Sequence, residues 1–141
     1  MTGVVIAAGR GVRLMPYTSD LPKCMLPVQG RPLLDYAVER LRAAGCRQVA
    51  VITGHQASRI VAPGCTLVHN PDFEHNNILH SLMFARDFFT EDLLVSYSDI
   101  LVEPDIYHRL AAAPGDVVLA VDRDWRAYYD GRTDHPVSEA E

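Results

Sequence analysis

A chain of 141 residues, 48% of them apolar, is long enough for one domain around one buried core. With 13 basic against 18 acidic residues its net charge is −5, which argues against a nucleic-acid partner, since that usually needs a basic face. Its three cysteines, Cys24, Cys46 and Cys65, are too few and too widely spaced for a disulfide framework or paired metal ligands, and read as small buried side chains in a reducing cytosol.

The first predicted element is a strand from Val4 to Ala8, a continuous apolar run of the kind covered on both faces. The apolar stretch from Met1 is far too short to span a bilayer and has no basic leader, so no membrane partner is expected. A loop rich in glycine and arginine follows, and then Pro32 to Ala44 reads as a helix. Leu33, Leu34, Ala37, Val38 and Leu41 recur there at helical spacing, and Gly45 is the stop. Gln48 to Thr53 is the next strand, ending at Gly54-His55. Thr66 to His69 is a short strand before Asn70-Pro71. Asn76 or Asn77 can cap a helix through Phe89, with Leu79, Leu82, Met83 and Phe88 on its apolar face. Leu93 to Tyr97 is a buried strand that delivers Ser98-Asp99. Pro104 to Ala113 is a helix and Asp116 to Val121 the last strand.

Strands alternating with helices imply an α/β fold with a mostly parallel sheet and right-handed crossovers. Ligands in such sheets bind outside the carboxyl ends of the strands. The loop at residues 9–13, Gly54, Asn70 and Asp99 all fall at such ends, so they can converge.

The chemistry concentrates at the first strand exit. Ala7, Ala8, Gly9 and Gly11 are small enough to let backbone amides approach an anion. Arg13 and Lys23 add two fixed cations ten residues apart. The set suits a nucleoside triphosphate held for reaction at phosphorus. It is not a P-loop, because no lysine adjoins the glycines, and not a dinucleotide fingerprint, because Leu14 stands where the third glycine belongs. From the glycines alone an ordinary tight turn stays open.

The wider pattern is Ala7-Ala8-Gly9-x-Gly11-x-Arg13-Leu14, then Pro22-Lys23, then Pro27-Val28-x-Gly30-x-Pro32-Leu33-Leu34. Further matches are Asn70, Asn76-Asn77, Ser81-Leu82 and Asp99. It resembles the nucleotidyltransferases that activate sugar phosphates and phosphocholine. The tail Asp124-Trp125, Tyr128, Gly131-Arg132 and His135-Pro136 is most similar to the phosphocholine cytidylyltransferase branch. The resemblance implies a Rossmann-like three-layer sandwich of the nucleotide-diphospho-sugar transferase type, in one domain over residues 1–141. It also implies that the family's C-terminal portion, with a second metal-binding aspartate, is missing. The implied activity is magnesium-dependent transfer of a cytidylyl group from CTP to phosphocholine or a related phosphate or phosphonate, releasing pyrophosphate, in the cytoplasm. A sugar-1-phosphate nucleotidyltransferase using another NTP, and a nucleotide-binding module without turnover, are the alternatives. A homo-oligomer stays open.

On this reading Arg13 and Lys23 stabilise charge on the triphosphate, where an arginine fork grips two oxygens and a lysine acts as a point charge, or else both are solvated surface cations. Asp99 holds Mg2+, an ion that often takes only one or two protein carboxylates. A helix-capping or turn-shaping role is its alternative. Asn76, Asn77 and Ser81 lie near the base, or simply cap a helix. Trp125, Tyr128 and Tyr129 bind a quaternary ammonium through their ring faces, with Asp124 and Asp130 adding negative potential, or pack as a loop. No general base is needed, because a phosphate monoester with a second pKa near roughly 6 is already largely dianionic at neutral pH.

Overall fold

The computed structural model describes residues 1–133 and Val137. The central strand β1 (Thr2–Ala7) is apolar almost throughout and is buried on both faces. After it come a 3-10 turn at Val12–Leu14 and another at Lys23–Met25. Strands β2 (Pro27–Val28) and β3 (Arg31–Pro32) form a small antiparallel hairpin. Its two turn residues, Gln29 at φ 51° and Gly30 at φ 80°, are both left-handed, as a two-residue hairpin turn requires. Helix α1 (Leu33–Ala43) follows, then β4 (Gln48–Thr53), β5 (Thr66–His69), α2 (Ile78–Met83), β6 (Leu93–Tyr97) and α3 (Pro104–Ala112).

The main sheet has the order β5-β4-β1-β6 and every pairing in it is parallel. Val4 sits opposite Ala50 of β4 and Val95 of β6. Alternation along the strands then feeds two cores. Val5, Ala7, Val49, Val51 and Leu94 pack with Leu34, Ala37, Val38 and Leu41 of α1 and Tyr107 of α3. Val4, Ala8 and Ile52 face the other way, onto Ala85, Leu82, Phe73 and Phe88. The parallel sheet is the one that the alternating elements predict, and the packing on both of its faces gives the three layers that the resemblance implies. Among the described residues no helix is long and apolar enough to cross a membrane.

Two expectations need correction. The stretch 116–121 forms no strand: Val117, Leu119 and Val121 are 84%, 79% and 73% exposed. Apolar β-branched residues favour a strand only where a pleated neighbour receives them, and no described strand lies beside this stretch. The helix expected through Phe89 stops at Met83, and Leu79 and Met83, expected on its apolar face, are exposed. The chain tightens there into a 3-10 turn at Arg86–Phe88, with Phe88 N donating to Ala85 O at 2.9 Å, and this lays Ala85 and Phe88 against the sheet.

The start of β1 is tied down by charge. Glu91 pairs with the Met1 ammonium group, accepts from Arg47 Nη2 at 2.9 Å and accepts from the Thr2 hydroxyl at 3.2 Å. These donors, the ammonium group first and Arg47 second, hold the Glu91 carboxyl down to about 2, against 4.5 in a free chain. Because the folded value is the depressed one, the stabilisation is fully present above pH 4.5 and is lost as the pH falls towards 2. Glu91→Gln should flatten the pH dependence of unfolding within that window. Urea melts of both proteins at pH 3, 4 and 6 check it; parallel pH profiles would show that the contact contributes nothing.

Candidate active site

Strands β1 and β6 are neighbours, so the loop leaving β1 and the residues ending β6 emerge side by side. The β1 exit is closely fitted. Gly11 takes a left-handed φ of 63°, and its carbonyl accepts the Thr18 hydroxyl at 2.9 Å. A Cβ there would come within 3.1 Å of Lys23 Cβ and 3.2 Å of Thr18 Cγ2. Gly54, ending β4, is tighter still. A Cβ on it would lie 2.6 Å from Phe73 Cβ and 2.7 Å from the Ala8 carbonyl oxygen. That carbonyl also accepts from His55 N at 3.0 Å. Ala8 and Gly9 are thereby positioned by β4 as well as by β1.

Lys23 Nζ donates to Asp99 Oδ2, joining the first loop to the end of β6. The side chains are 27% and 32% exposed, so the pair is partly open to solvent and not in the core. Sequence reasoning gives these residues to different partners, phosphate and metal; the fold puts them in contact. Cys24, adjoining Lys23, is buried. Burial pushes its thiol up to about 12, against its own backbone hydrogen bond, and the Asp99 carboxylate adds to the rise. Arg13 stands exposed on the 3-10 turn after Gly11. Arg10 lies 3.5 Å from Glu74, bridging the glycine loop to the segment before α2.

Asp99 is a single carboxylate oxygen donor at a strand end. Among the described residues no three His, Cys, Asp or Glu side chains cluster as a metal site. The donor set fits a hard ion that takes one protein carboxylate and fills its other positions with water and phosphate. Such an ion at Asp99 competes with the Lys23 ammonium for the same oxygen.

On the far side of Gly54, Asn70 is fully buried at the end of β5. Its Nδ2 donates to Ser81 Oγ at 2.9 Å and to Asn76 Oδ1 at 3.2 Å. Its Oδ1 accepts from Asp72 N at 2.9 Å and Asn76 Nδ2 at 3.1 Å. Asn77 is the cap of α2, accepting from His80 N at 2.9 Å. The structure therefore unites Asn76 and Ser81 through Asn70, which sequence reasoning places at a strand end and in the family pattern but gives no role. The signal for it was the Asn70-Pro71 step, which marks a side-chain-closed turn.

Trp125 and Tyr129 come together on a 3-10 turn at Trp125–Tyr129, edge to face with centroids 5.9 Å apart. Tyr128 points outward and is 64% exposed. The ring faces are already attended: Arg126 lies 5.3 Å from the Trp125 centroid and Arg132 lies 4.7 Å from that of Tyr129. Asp124 N closes a local turn on Asp122 Oδ1 at 2.9 Å. Asp134, His135 and Pro136, of the same tail, lie outside the described residues.

The family model described as the MobA-like NTP transferase domain matches residues 3–138. The CTP:phosphoglutamine cytidylyltransferase of Campylobacter jejuni is 31% identical, over 100% of this chain and 60% of its own length. The CMP-5'-(3-aminopropyl)phosphonate synthase of Streptomyces rubellomurinus is 37% identical, over 87% of this chain and 21% of its own. Among solved structures, the CTP:phosphocholine cytidylyltransferase of Streptococcus pneumoniae superposes with a TM-score of 0.59 at 26% identity, covering 70% of this chain and 44% of the other. The chain thus spans 60% or less of the length of each of these relatives.

Proposed function

Since this chain belongs to the MobA-like NTP transferase family, we propose that it serves cytidylyl transfer from CTP to a small phosphate- or phosphonate-bearing acceptor. The observation that carries the reading is the meeting of Lys23 and Asp99 beside the glycine-containing loop that leaves β1. One cation and one carboxylate, fixed beside a loop of small residues, are what a triphosphate and its counter-ion require.

An oxygen of the acceptor's phosphate or phosphonate forms a bond to the α-phosphorus of CTP. The bond from that phosphorus to the bridging oxygen breaks, and pyrophosphate leaves with the electron pair. Backbone amides around Ala8, Gly9 and Gly11 and the cations of Arg13 and Lys23 face the charge that builds on the phosphate oxygens. Asp99 would hold a divalent cation, taken here to be Mg2+, which supplies further charge neutralisation when bound. The acceptor arrives deprotonated, so no side chain has to remove a proton. Asn76, Asn77 and Ser81 are assigned to the base and Trp125, Tyr128 and Tyr129 to the acceptor.

The arginines over Trp125 and Tyr129 favour a second reading of the acceptor pocket. A quaternary ammonium would have to displace them, whereas an acceptor carrying a carboxylate would pair with them. A matrix of four NTPs against phosphocholine, 3-aminopropylphosphonate, phosphoglutamine and glucose 1-phosphate, read by pyrophosphate release, tests both readings. The expected result is turnover with CTP, fastest with an acceptor that is not a sugar phosphate. Activity confined to glucose 1-phosphate would replace the proposal with a sugar-phosphate nucleotidyltransferase. Tight CTP binding with no turnover in any combination would leave a binding module.

A further inference from the structure

We propose that Asn70 is a positioning residue that fixes the polarity of the Asn76 amide, so that Asn76 offers one N–H to an acceptor atom on the edge of the bound nucleobase. The inference rests on the nucleotide reading above and adds to it the residue that orients the base contact and the kind of atom read.

The polarity follows from one backbone group. The Asp72 N–H can only donate, so the Asn70 atom that meets it at 2.9 Å is the oxygen. Asn70 Nδ2 then faces Asn76 and Ser81, and the Asn76 atom that accepts from it is Oδ1. The Ser81 hydroxyl, accepting from Asn70, donates in turn to Asn76 Oδ1 at 3.1 Å. Asn76 Oδ1 therefore receives two donors, and one Nδ2 proton is used on Asn70 Oδ1 at 3.1 Å. The unused capacity of the Asn76 amide is a single donor. Flipping Asn76 would set donor against donor and acceptor against acceptor at a pair of bonds that are partly sheltered from water, a costly arrangement. Asn70 itself has all four of its positions filled and no exposure, so it cannot touch a ligand.

The location is right for a base. Phe73, three residues after Asn70, abuts Gly54 beside Ala8, and Glu74 pairs with Arg10 of the glycine loop at 3.5 Å. A lone donor calls for an acceptor on the base edge, which the ring carbonyl of cytosine and either carbonyl of uracil supply, so this contact fixes the kind of atom met and does not separate CTP from UTP.

The test uses calorimetry with the intact chain, Mg2+ and three probes: CTP, UTP and inorganic triphosphate. Asn70→Asp keeps the acceptor for the Asp72 N–H but removes both donors, which turns the Asn76 amide inward. It should weaken CTP and UTP binding about tenfold, the size of one lost hydrogen bond. Triphosphate affinity should stay within about twofold. Asn76→Asp should give the same loss, and the double variant no more than either single one, because both act through one bond. Asn70→Ser, which also keeps an acceptor, is the second variant should Asn70→Asp fail to fold, with the same expected pattern. Equal weakening of all three probes, additive losses, or unchanged CTP affinity in a folded variant would overturn the proposal. If the wild-type chain binds UTP but not CTP, the cytidylyl reading fails while the UTP arm still decides the role of Asn70. Binding of no nucleotide by the wild type overturns both.

Discussion

Lys23→Ala is expected to lower kcat/KM for nucleotidyl transfer by about 100-fold or more, the loss typical of removing one fixed donor to a transition state's charge. Lys23 is held in place twice over. Its Cβ lies against Gly11, and its ammonium is anchored on Asp99. A lysine so placed is presented to a phosphate with little ordering left to do. The variant removes both the cation and the competitor for Asp99. Magnesium binding measured without nucleotide should therefore tighten in Lys23→Ala, while turnover collapses. Asp99→Asn gives the mirror result, losing the magnesium response and freeing Lys23. Arg13→Ala lacks the second effect, because Arg13 stands exposed on its turn, so its loss should appear in turnover and nucleotide affinity alone. Near-normal turnover in Lys23→Ala would remove this lysine from the chemistry, and unaltered magnesium affinity would show that the ion does not use the Asp99 oxygen.

Gly54→Ala should cost about 3 kcal/mol of folding stability, at the upper end for one methyl forced into a closed space. The added carbon would overlap Phe73 Cβ at 2.6 Å and the Ala8 carbonyl oxygen at 2.7 Å, and neither is the free end of a flexible side chain. Relief requires β4 and the β1 exit to move apart, which spoils the glycine loop as well as the core. Denaturant melts should show a lower midpoint at unchanged slope, and CTP affinity should fall in parallel. A variant as stable as the parent would mean that the β4 end yields far more easily than its packing indicates.

The strands at 48–53 and 66–69 were legible in the sequence to the residue, because Gly54 and Asn70-Pro71 end apolar runs. Helix α1 was legible from five core-facing residues at helical spacing, all of them buried. The β2–β3 hairpin was not, since two strands of two residues carry no period; its only trace was Gly30 at a left-handed position. Stretch 116–121 has the composition of a strand, but composition cannot state whether a neighbour exists. At the site, the small residues and basic groups were visible because they lie within one loop. The Lys23–Asp99 contact was not, because it joins residues 76 positions apart and depends on β1 and β6 being adjacent. Asn70 was visible as a match at a strand end, but its enclosure was not, because a buried asparagine is spelled like an exposed one.

The placement of β1 in the sheet also sets a schedule. The strand precedes both of its partners, β4 and β6, and is the only strand flanked by two others that comes before them in the chain. Its second ladder closes only when Leu93 to Tyr97 has been made, and the Met1 ammonium before it finds its carboxylate partner only with Glu91. At synthesis rates of roughly 5–20 residues per second, Val4, Val5 and Ile6 wait on the order of 5–20 s beside a growing chain with one edge unclaimed. For that interval a continuous apolar run is available to other partners. A ribosome-bound intermediate halted before residue 93 should therefore be sought by holdase chaperones, and one halted well beyond residue 97 should be released from them.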